Sequence, residues 1–373
     1  MKPITLNEVS SLNLSPKEVG NKTFNLSKLL KTSKKSKEFE VPSGFVLPIS
    51  LLKESFKNIL QEKIYELNSI LKKNNFLLNK NCFEVLSEIK KLIQNFELPD
   101  ELEKEILKNC EKDGFYAVRS SSIFEDSEKN SFAGIHESYL NIPTEEVSKY
   151  IKKCFSSLFN EKSLSFRLKN EPKKYDIEFL DEMAIIVQKQ IHSEKSGVIF
   201  TVNPLNGNRN RILIESSYGL GDLILNGKII PDSYEIHKST LTVTKKIGEK
   251  LQKNVINKHG NTTTIQVEKN DQIKFSLSEI EVEKLCKIAF ELEKEFDSIY
   301  LDIEFSIVND DIYILQVRPI TNIFPRIKFI PNSLKSSLKD NKVEHLQDEY
   351  FRIFFSINDS AVKIQVHILI HFI

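Results

Sequence analysis

The pattern of apolar and polar positions gives the chain a helical stretch near its N-terminus and a strand-rich second half. From Leu51 to Cys110, apolar residues recur at helical spacing between charged residues, which predicts about three amphipathic helices. Further amphipathic helices are predicted from Thr144 to about Phe159 and from Ser278 to Phe296. Because these helices are mixed with extended segments, we expect an α+β fold with a helical insertion.

The extended segments are short and are separated by turn residues. Two prolines and a glycine exclude a helix from Val41 to Pro48, and a short helix is predicted before them, around Lys22 to Lys31. Strands are predicted at Phe115–Val118, Ala184–Val187, Gly197–Val202, Arg211–Glu215, Ser233–His237 and Leu241–Lys246, with a final hairpin after residue 300.

An arginine and three hydroxyl residues follow the strand predicted at Phe115–Val118. Arg119 and Ser120 to Ser122 open a polar segment without helical or strand period, which runs to Gly134. Arginine offers a planar set of donors, hydroxyls add neutral donors, and glycine lets backbone N–H groups approach anionic oxygens. This combination suits a polyphosphate, with Ser131–Gly134 as a mobile cover, although a surface arginine beside a hydroxyl-rich turn has the same pattern.

The final hairpin has one polar face. Strict alternation from Leu301 to Ile307 places Asp302 and Glu304 on one face and apolar residues on the other. A three-residue loop at Asn309–Asp311 would set Glu304 opposite Gln316, whereas a two-residue loop would place these two side chains on opposite faces.

The three-residue loop would also set Asp302 opposite Arg318. Glu304 and Gln316 would then offer the oxygen ligands that Mg²⁺ prefers, and Arg318 could neutralise a phosphate beside them. The alternative is a solvated hairpin face with an Asp302–Arg318 ion pair.

Three smaller signals have an ordinary structural interpretation and a functional one. Lys22 follows Gly20 at a predicted helix start and could meet a phosphate there, or be a solvated lysine. Gly219-Leu220-Gly221-Asp222 predicts a turn after a strand and lacks the context of a dinucleotide-binding fingerprint. Gln188 is either an edge residue of its strand or a neighbour of a purine.

Composition excludes some classes of protein. The 53 basic and 52 acidic residues nearly cancel, which argues against a nucleic-acid surface and against attachment to an anionic membrane. The four cysteines show no metal-ligand or disulfide spacing, and no histidine lies in a metal-ligand pair. With no signal-peptide pattern, we expect a cytoplasmic protein.

Several motifs, in this order, resemble the N-terminal nucleotide-binding domain of the pyruvate phosphate dikinase and phosphoenolpyruvate synthase family. The matching segments are Val19–Lys22 with Asn25-Leu26, Pro42–Phe45, Ala117–Leu140, Ser196–Thr201, Gly219–Asp222, Pro231-Asp232 and Gln316–Pro319. The resemblance implies an ATP-grasp-like fold, with a lid segment and helical subdomain at residues 1–114, a core at 115–322 and a tail or truncated linker at 323–373.

The resemblance also implies roles for individual residues. Lys22, Arg119 and Arg318 would contact the phosphates of ATP and serve catalysis, Ser120 and Gly134 would help to bind the nucleotide, Gln188 would lie near the adenine, and Glu304 and Gln316 would hold Mg²⁺. In this family ATP phosphorylates a histidine on a mobile domain, which passes the phosphoryl group to pyruvate or another acceptor.

The chain departs from the family pattern in three places. Gly20-Asn21-Lys22 stands where the family often has Gly-Gly-Lys, and Asp222 stands where glutamate is more usual. No histidine-swivel motif is present, so we expect a partner histidine domain on a separate chain, or a gene fragment. A rifamycin-phosphotransferase-like enzyme and a non-catalytic ATP-binding module remain alternatives.

Overall fold

The computed structural model describes residues 2–124, 137–170, 180, 182–257, 260–297, 300–320 and 323. Gly134, the predicted cover Ser131–Gly134 and the predicted tail beyond residue 323 lie outside these residues. Within the described ranges, no helix has the length and apolar character needed to cross a membrane.

Helices and strands are mixed along the described chain, which confirms the predicted α+β class. The helices are α1 (Leu6–Ser11), α2 (Pro16–Ser36), α3 (Ile49–Lys73), α4 (Lys80–Asn95), α5 (Asp100–Lys108), α6 (Val147–Ser156), α7 (Glu161–Asn170), α8 (Asp222–Leu225), α9 (Lys269–Gln272) and α10 (Glu279–Glu295). The strands are β1 (Ile4–Thr5), β2 (Gly44–Leu47), β3 (Phe115–Ser122), β4 (Ser138–Pro143), β5 (Met183–Lys189), β6 (Lys195–Phe200), β7 (Arg211–Tyr218), β8 (Asp232–His237), β9 (Val243–Lys246), β10 (Gln252–Ile256), β11 (Thr262–Gln266), β12 (Leu301–Val308) and β13 (Asp311–Pro319).

The first sheet is antiparallel, with the strand order β1-β2-β5-β3-β4. Helices α3 to α6 share a core with one face of this sheet, where Phe56 of α3 stacks on Phe155 of α6 with ring centroids 4.9 Å apart. Helices α1 and α2 meet the other face through Val9 and Val19. The helices predicted between Leu51 and Cys110 are present as α3, α4 and α5, while the division of the chain at residues 114 and 322 stays a prediction.

The second sheet is antiparallel, with the strand order β13-β12-β6-β7-β8-β9. One face packs on α10 and α2, and this core includes Ile199, Ile303 and Leu285. The backbone of Glu40 pairs with β13 by accepting from Ile314 N–H at 2.9 Å, and so covers the outer edge of the sheet. The opposite face of β6 and β12 is left open toward the first sheet.

The hairpin of β12 and β13 contradicts the predicted loop length but contains the predicted cross-strand pairs. Val308 pairs with Asp311, so the loop has two residues, Asn309 and Asp310, both with the positive φ that tight hairpin turns require. A β-bulge between Glu304 and Phe305 then shifts the register by one residue.

The bulge residue is Leu315, because Phe305 pairs with Ile314 while Glu304 pairs with Gln316. Beyond the bulge, Asp302 pairs with Arg318, as predicted. The two-residue loop shifts the strand register by one residue relative to the predicted three-residue loop. The bulge cancels this shift before Glu304 and Asp302 are reached.

Helix α2 is interrupted at Gly20, which has φ 73° and ψ 162°. A Cβ atom at this position would lie 1.8 Å from the backbone oxygen of Ser121 on β3. Only glycine combines this backbone conformation with so close an approach. The segment that contains Lys22 thus starts as a separate helical piece against β3, and it runs to Ser36 rather than ending at Lys31.

We predict that Gly20→Ala destabilises the protein by about 3 kcal/mol, because the strain of a positive φ is added to overpacking against β3. Gly227→Ala is the matched control, since Gly227 also has a positive φ (63°) but a Cβ atom there would meet nothing within 4 Å. The control should cost only about 1 kcal/mol. Urea unfolding measures both changes, and equal losses would contradict the close approach at Gly20.

Candidate functional site

Strand β3 is longer than predicted and contains the hydroxyl run. The sequence places Ser120 to Ser122 in a polar loop, but all three belong to β3 and pair with β5. Their exposed fractions are 0%, 0% and 1%. The hydroxyl run is therefore buried in a strand, and the polar segment predicted to start at Arg119 is part of β3 as far as Ser122.

The hydroxyl of Ser121 fills the interruption in α2. In a continuous helix, Thr23 N–H would donate to Val19 C=O, four residues earlier. Here Thr23 N–H donates to Ser121 Oγ at 3.0 Å, and Ser121 Oγ donates to Val19 C=O at 2.8 Å. The Thr23 hydroxyl also donates to Ser121 Oγ, at 2.9 Å. One side chain from β3 thereby replaces the missing helical hydrogen bond.

This junction places Lys22 next to β3. The Lys22 ammonium donates to the backbone oxygen of Ser120 at 3.0 Å, and the Lys22 side chain is almost fully buried. Ser120 is the neighbour of Arg119 in the strand, so two of the three cations predicted to meet phosphate, from segments nearly a hundred residues apart, are placed at adjacent positions along β3.

Arg119 connects the two sheets. Its Nη2 lies 3.2 Å from Glu304 Oε2, with 13% and 14% of the two side chains exposed. Its Nε is buried and has no hydrogen-bond partner among the described residues. The guanidinium thus retains donor capacity beside a carboxylate on the facing sheet.

The polar face of the hairpin contains the Asp302–Arg318 ion pair, which the sequence predicted as the alternative to a phosphate contact. Arg318 Nε and Nη2 lie 2.8 Å and 2.7 Å from Asp302 Oδ2. Burial raises the pKa of Asp302, and the neighbouring Arg318 opposes this shift. A contact between Arg318 and a phosphate stays a prediction.

The next pair along the hairpin, Glu304 and Gln316, fits the donor set that Mg²⁺ prefers. One carboxylate and one amide oxygen on adjacent strands leave room for water and phosphate oxygens in the coordination shell. Across the described ranges, no group of three or more His, Cys, Asp or Glu side chains could hold a metal by itself. Among the described residues, Glu304 and Gln316 alone would give a metal here only part of its coordination shell.

A cleft between the sheets contains part of the predicted set. Arg119, Gln188 and Glu304 line it, together with residues that precede β6 and the loop after β7; the full set is Ala117, Arg119, Leu140, Gln188–Ile191, Ser193, Ser196–Val198, Leu220–Asp222, Ile224, Leu225, Glu304, Phe305 and Leu315. Gln188 is buried in β5, and its amide donates to Pro42 C=O at 3.4 Å. Lys22, Ser120, Gln316 and Arg318 are not among the lining residues.

Two segments of the lining were not predicted as site residues. Gln190–Ser193 links β5 to β6, and nothing in its composition distinguishes it from an ordinary connection. Gly219–Asp222 was predicted as a turn, although its two glycines could have indicated that backbone approaches another segment closely. Such an approach is present, since a Cβ atom at Gly219 would lie 2.3 Å from the backbone oxygen of Asn254.

Glu215 lies in the same cross-strand row of side chains as Glu304 and adds a second carboxylate to that row. Val198 pairs with Glu304 on one side and with Glu215 on the other, so the three side chains share a face of the second sheet. Burial raises the pKa of Glu215. Glu215 and Glu304 make this face of the second sheet acidic, while Arg119 presents a cation to the cleft from the first sheet.

Residues 16–328 match the family model of the pyruvate phosphate dikinase AMP/ATP-binding domain. The chain belongs to this family. Its relatives include a probable phosphoenolpyruvate synthase of Methanocaldococcus jannaschii, 36% identical over 76% of this chain and 24% of the relative. Another, from Archaeoglobus fulgidus, is 35% identical over 82% of this chain and 40% of the relative.

A rifampicin phosphotransferase of Bacillus cereus is also related, at 32% identity over 65% of this chain and 28% of the relative. The chain thus spans between a quarter and two fifths of the length of these three relatives. Among solved structures, a D-alanine-D-alanine ligase from Helicobacter pylori matches with 13% identity and a TM-score of 0.25, over 77% of this chain and 68% of the ligase.

We predict that Glu215→Gln stabilises the protein more at pH 8 than at pH 4. A folded-state pKa above the unfolded value means that the wild type loses stability as the pH rises through that pKa, and glutamine does not titrate. Urea unfolding over about pH 4 to 8 spans the carboxyl titration and measures the difference. Glu279→Gln is the control, because Lys245 lowers the pKa of Glu279 and the sign should reverse. A pH-independent effect of Glu215→Gln would contradict the burial of its carboxylate.

Proposed function

We propose that this chain is the nucleotide-binding part of an ATP- and Mg²⁺-dependent phosphotransferase that resembles phosphoenolpyruvate synthase. It binds ATP in the cleft between the two sheets and passes phosphate to a histidine domain on another chain or on a further part of the protein. The observation that carries the proposal is the meeting of Arg119 with Glu304 across this cleft, in a member of an ATP-binding family.

In this proposal, basic side chains from both sheets and from α2 receive the phosphates. Lys22, Arg119 and Arg318 contact phosphate oxygens, with Ser120 and Gly134 as further nucleotide-binding residues and Gln188 near the adenine. Lys22 and Arg119 are held by β3 and by the junction at Ser121, so they are positioned before the nucleotide arrives. Such preorganisation is the main contribution that a protein makes to phosphoryl transfer.

Glu304 and Gln316 would hold Mg²⁺ at the facing wall. The ion, when bound, supplies positive charge that offsets the charge of the phosphates. The described residues contribute by orientation: Glu304 is aimed at the cleft by its pairing in β12 and by Arg119, and Gln316 is aimed by the bulge at Leu315.

A second candidate is the nucleotide part of an antibiotic-phosphorylating enzyme, which the rifampicin phosphotransferase relatives support. Both candidates share the ATP cleft and differ in the final acceptor. A third candidate is a module that binds ATP without transferring phosphate. The cytoplasmic location remains a prediction in all three cases.

We predict that calorimetry detects ATP binding that Mg²⁺ strengthens, and that Glu304→Gln reduces the strengthening by at least roughly tenfold, since metal sites are sensitive even to changes in outer-shell partners. In the absence of Mg²⁺, the variant should bind ATP as well as the wild type or better, because Arg119 is released from its ion pair.

Glu279→Gln is the matched control at an exposed position on α10, and it should behave as the wild type. Absence of ATP binding by the wild type would overturn all three candidates. Equal losses with and without Mg²⁺ in Glu304→Gln would overturn the metal site alone.

We further predict that the chain transfers label from ATP, labelled in its β- and γ-phosphates, to an added histidine domain from a phosphoenolpyruvate synthase. Denaturing electrophoresis at alkaline pH, where phosphohistidine survives, measures the product. The same histidine domain with its histidine replaced by alanine is the control. ATP binding without transfer would favour the non-catalytic module.

A further inference from the structure

Asp222, at the point where the loop after β7 enters α8, brings a carboxylate into the cleft. None of the roles predicted from the sequence uses this carboxylate. Asp222 lines the cleft beside Gly221 and Leu220. Its Oδ2 accepts a hydrogen bond from Asn254 Nδ2 at 2.5 Å. Its Oδ1 is buried and has no hydrogen-bond partner in the described part of the chain. A buried carboxylate oxygen without a donor is costly, so a donor from outside the described residues is expected there.

Asn254 holds this carboxylate in one orientation. Asn254 is 6% exposed, and its Oδ1 accepts a hydrogen bond from Thr264 Oγ1 at 2.7 Å, which assigns its Nδ2 to Asp222. The backbone oxygen of Asn254 accepts from Leu220 N–H at 2.9 Å. The hairpin of β10 and β11 therefore fixes both the loop and the side chain, as a preformed binding group requires.

The position of Asp222 along the cleft indicates which part of a nucleotide it meets. A Cβ atom at Gly221 would lie 3.5 Å from Ser196 Oγ, so this loop lies level with Ser196. Glu304 lies level with Val198, two residues further along β6, which is roughly 7 Å at the usual rise of a strand. On the other side of Ser196 is the segment that joins β5 to β6. Asp222 thus lies between the proposed metal and phosphate position and the segment near Gln188.

The chemistry of a carboxylate then selects one group. It repels phosphate oxygens and accepts hydrogen bonds from hydroxyls. In a nucleotide, the ribose lies between the base and the phosphates. We propose, on the basis of the ATP site inferred above, that Asp222 recognises the ribose of the bound nucleotide by accepting a hydrogen bond at Oδ1 from a ribose hydroxyl.

The test compares the affinities for ATP, 2′-deoxyATP and 3′-deoxyATP by calorimetry. The wild type should prefer ATP over at least one deoxy form by roughly tenfold, the value of a hydrogen bond to a charged group. Asp222→Ala should abolish this preference, and Asp222→Asn, which has the same size and can keep the contact with Asn254, should reduce it. The asparagine variant decides the outcome where the alanine variant does not fold.

Asp310→Asn in the exposed hairpin turn is the matched control, and it should keep the wild-type preference. If the Asp222 variants bind ATP and both deoxy forms more weakly by the same factor, the proposal is overturned, and this result would indicate that Asp222 is a metal ligand. If the Asp222 variants instead lose the preference for ATP over purine riboside triphosphate but keep the preference for ATP over the deoxy forms, the proposal is overturned, and Asp222 recognises the base rather than the ribose. Failure of the wild type to bind ATP would instead overturn the proposed function and this assignment with it.

Discussion

The candidate site depends on one hydroxyl that stands in for a helical hydrogen bond. Ser121 Oγ accepts from Thr23 N–H and donates to Val19 C=O, the two groups that the interruption at Gly20 separates. Because all three groups are buried, leaving any one unsatisfied would cost about 1–3 kcal/mol. The junction therefore fixes the distance between α2 and β3, and with it the place of Lys22 relative to Arg119.

From this junction outward, the cleft is organised by opposite charge. On one side Arg119 projects from β3, and Lys22 of α2 contacts the same strand; on the other side β12 and β7 carry Glu304 and Glu215. The Arg119–Glu304 pair spans the two sides, yet it adds little net stability, because both side chains are largely buried and the cost of removing two charges from water offsets much of their attraction. Its effect is orientation: the guanidinium of Arg119 and the carboxylate of Glu304 are held facing each other across the cleft, as the proposed binding of a nucleotide and a metal requires.

The sequence predicted the parts of the site that follow from intrinsic periodicity. Alternation along β12 placed Asp302 and Glu304 on one face because successive side chains of any strand point to opposite faces. It could not reveal that Ser120 to Ser122 continue β3, since a run of serines has no polarity pattern. Nor could it reveal that Asn254 orients Asp222, because this contact joins β10 to the start of α8, two elements that are distant in sequence. Such pairs are decided by tertiary packing.

The bulge at Leu315 links the length of the hairpin turn to the length of β13. A two-residue turn with a bulge and a three-residue turn without one give the same pairing of Glu304 with Gln316. Either change alone reverses the faces of the polar side chains. A residue inserted in the turn would therefore preserve the pairing of Glu304 with Gln316 only if the bulge residue were deleted at the same time, so the length of the turn and the length of β13 are geometrically coupled.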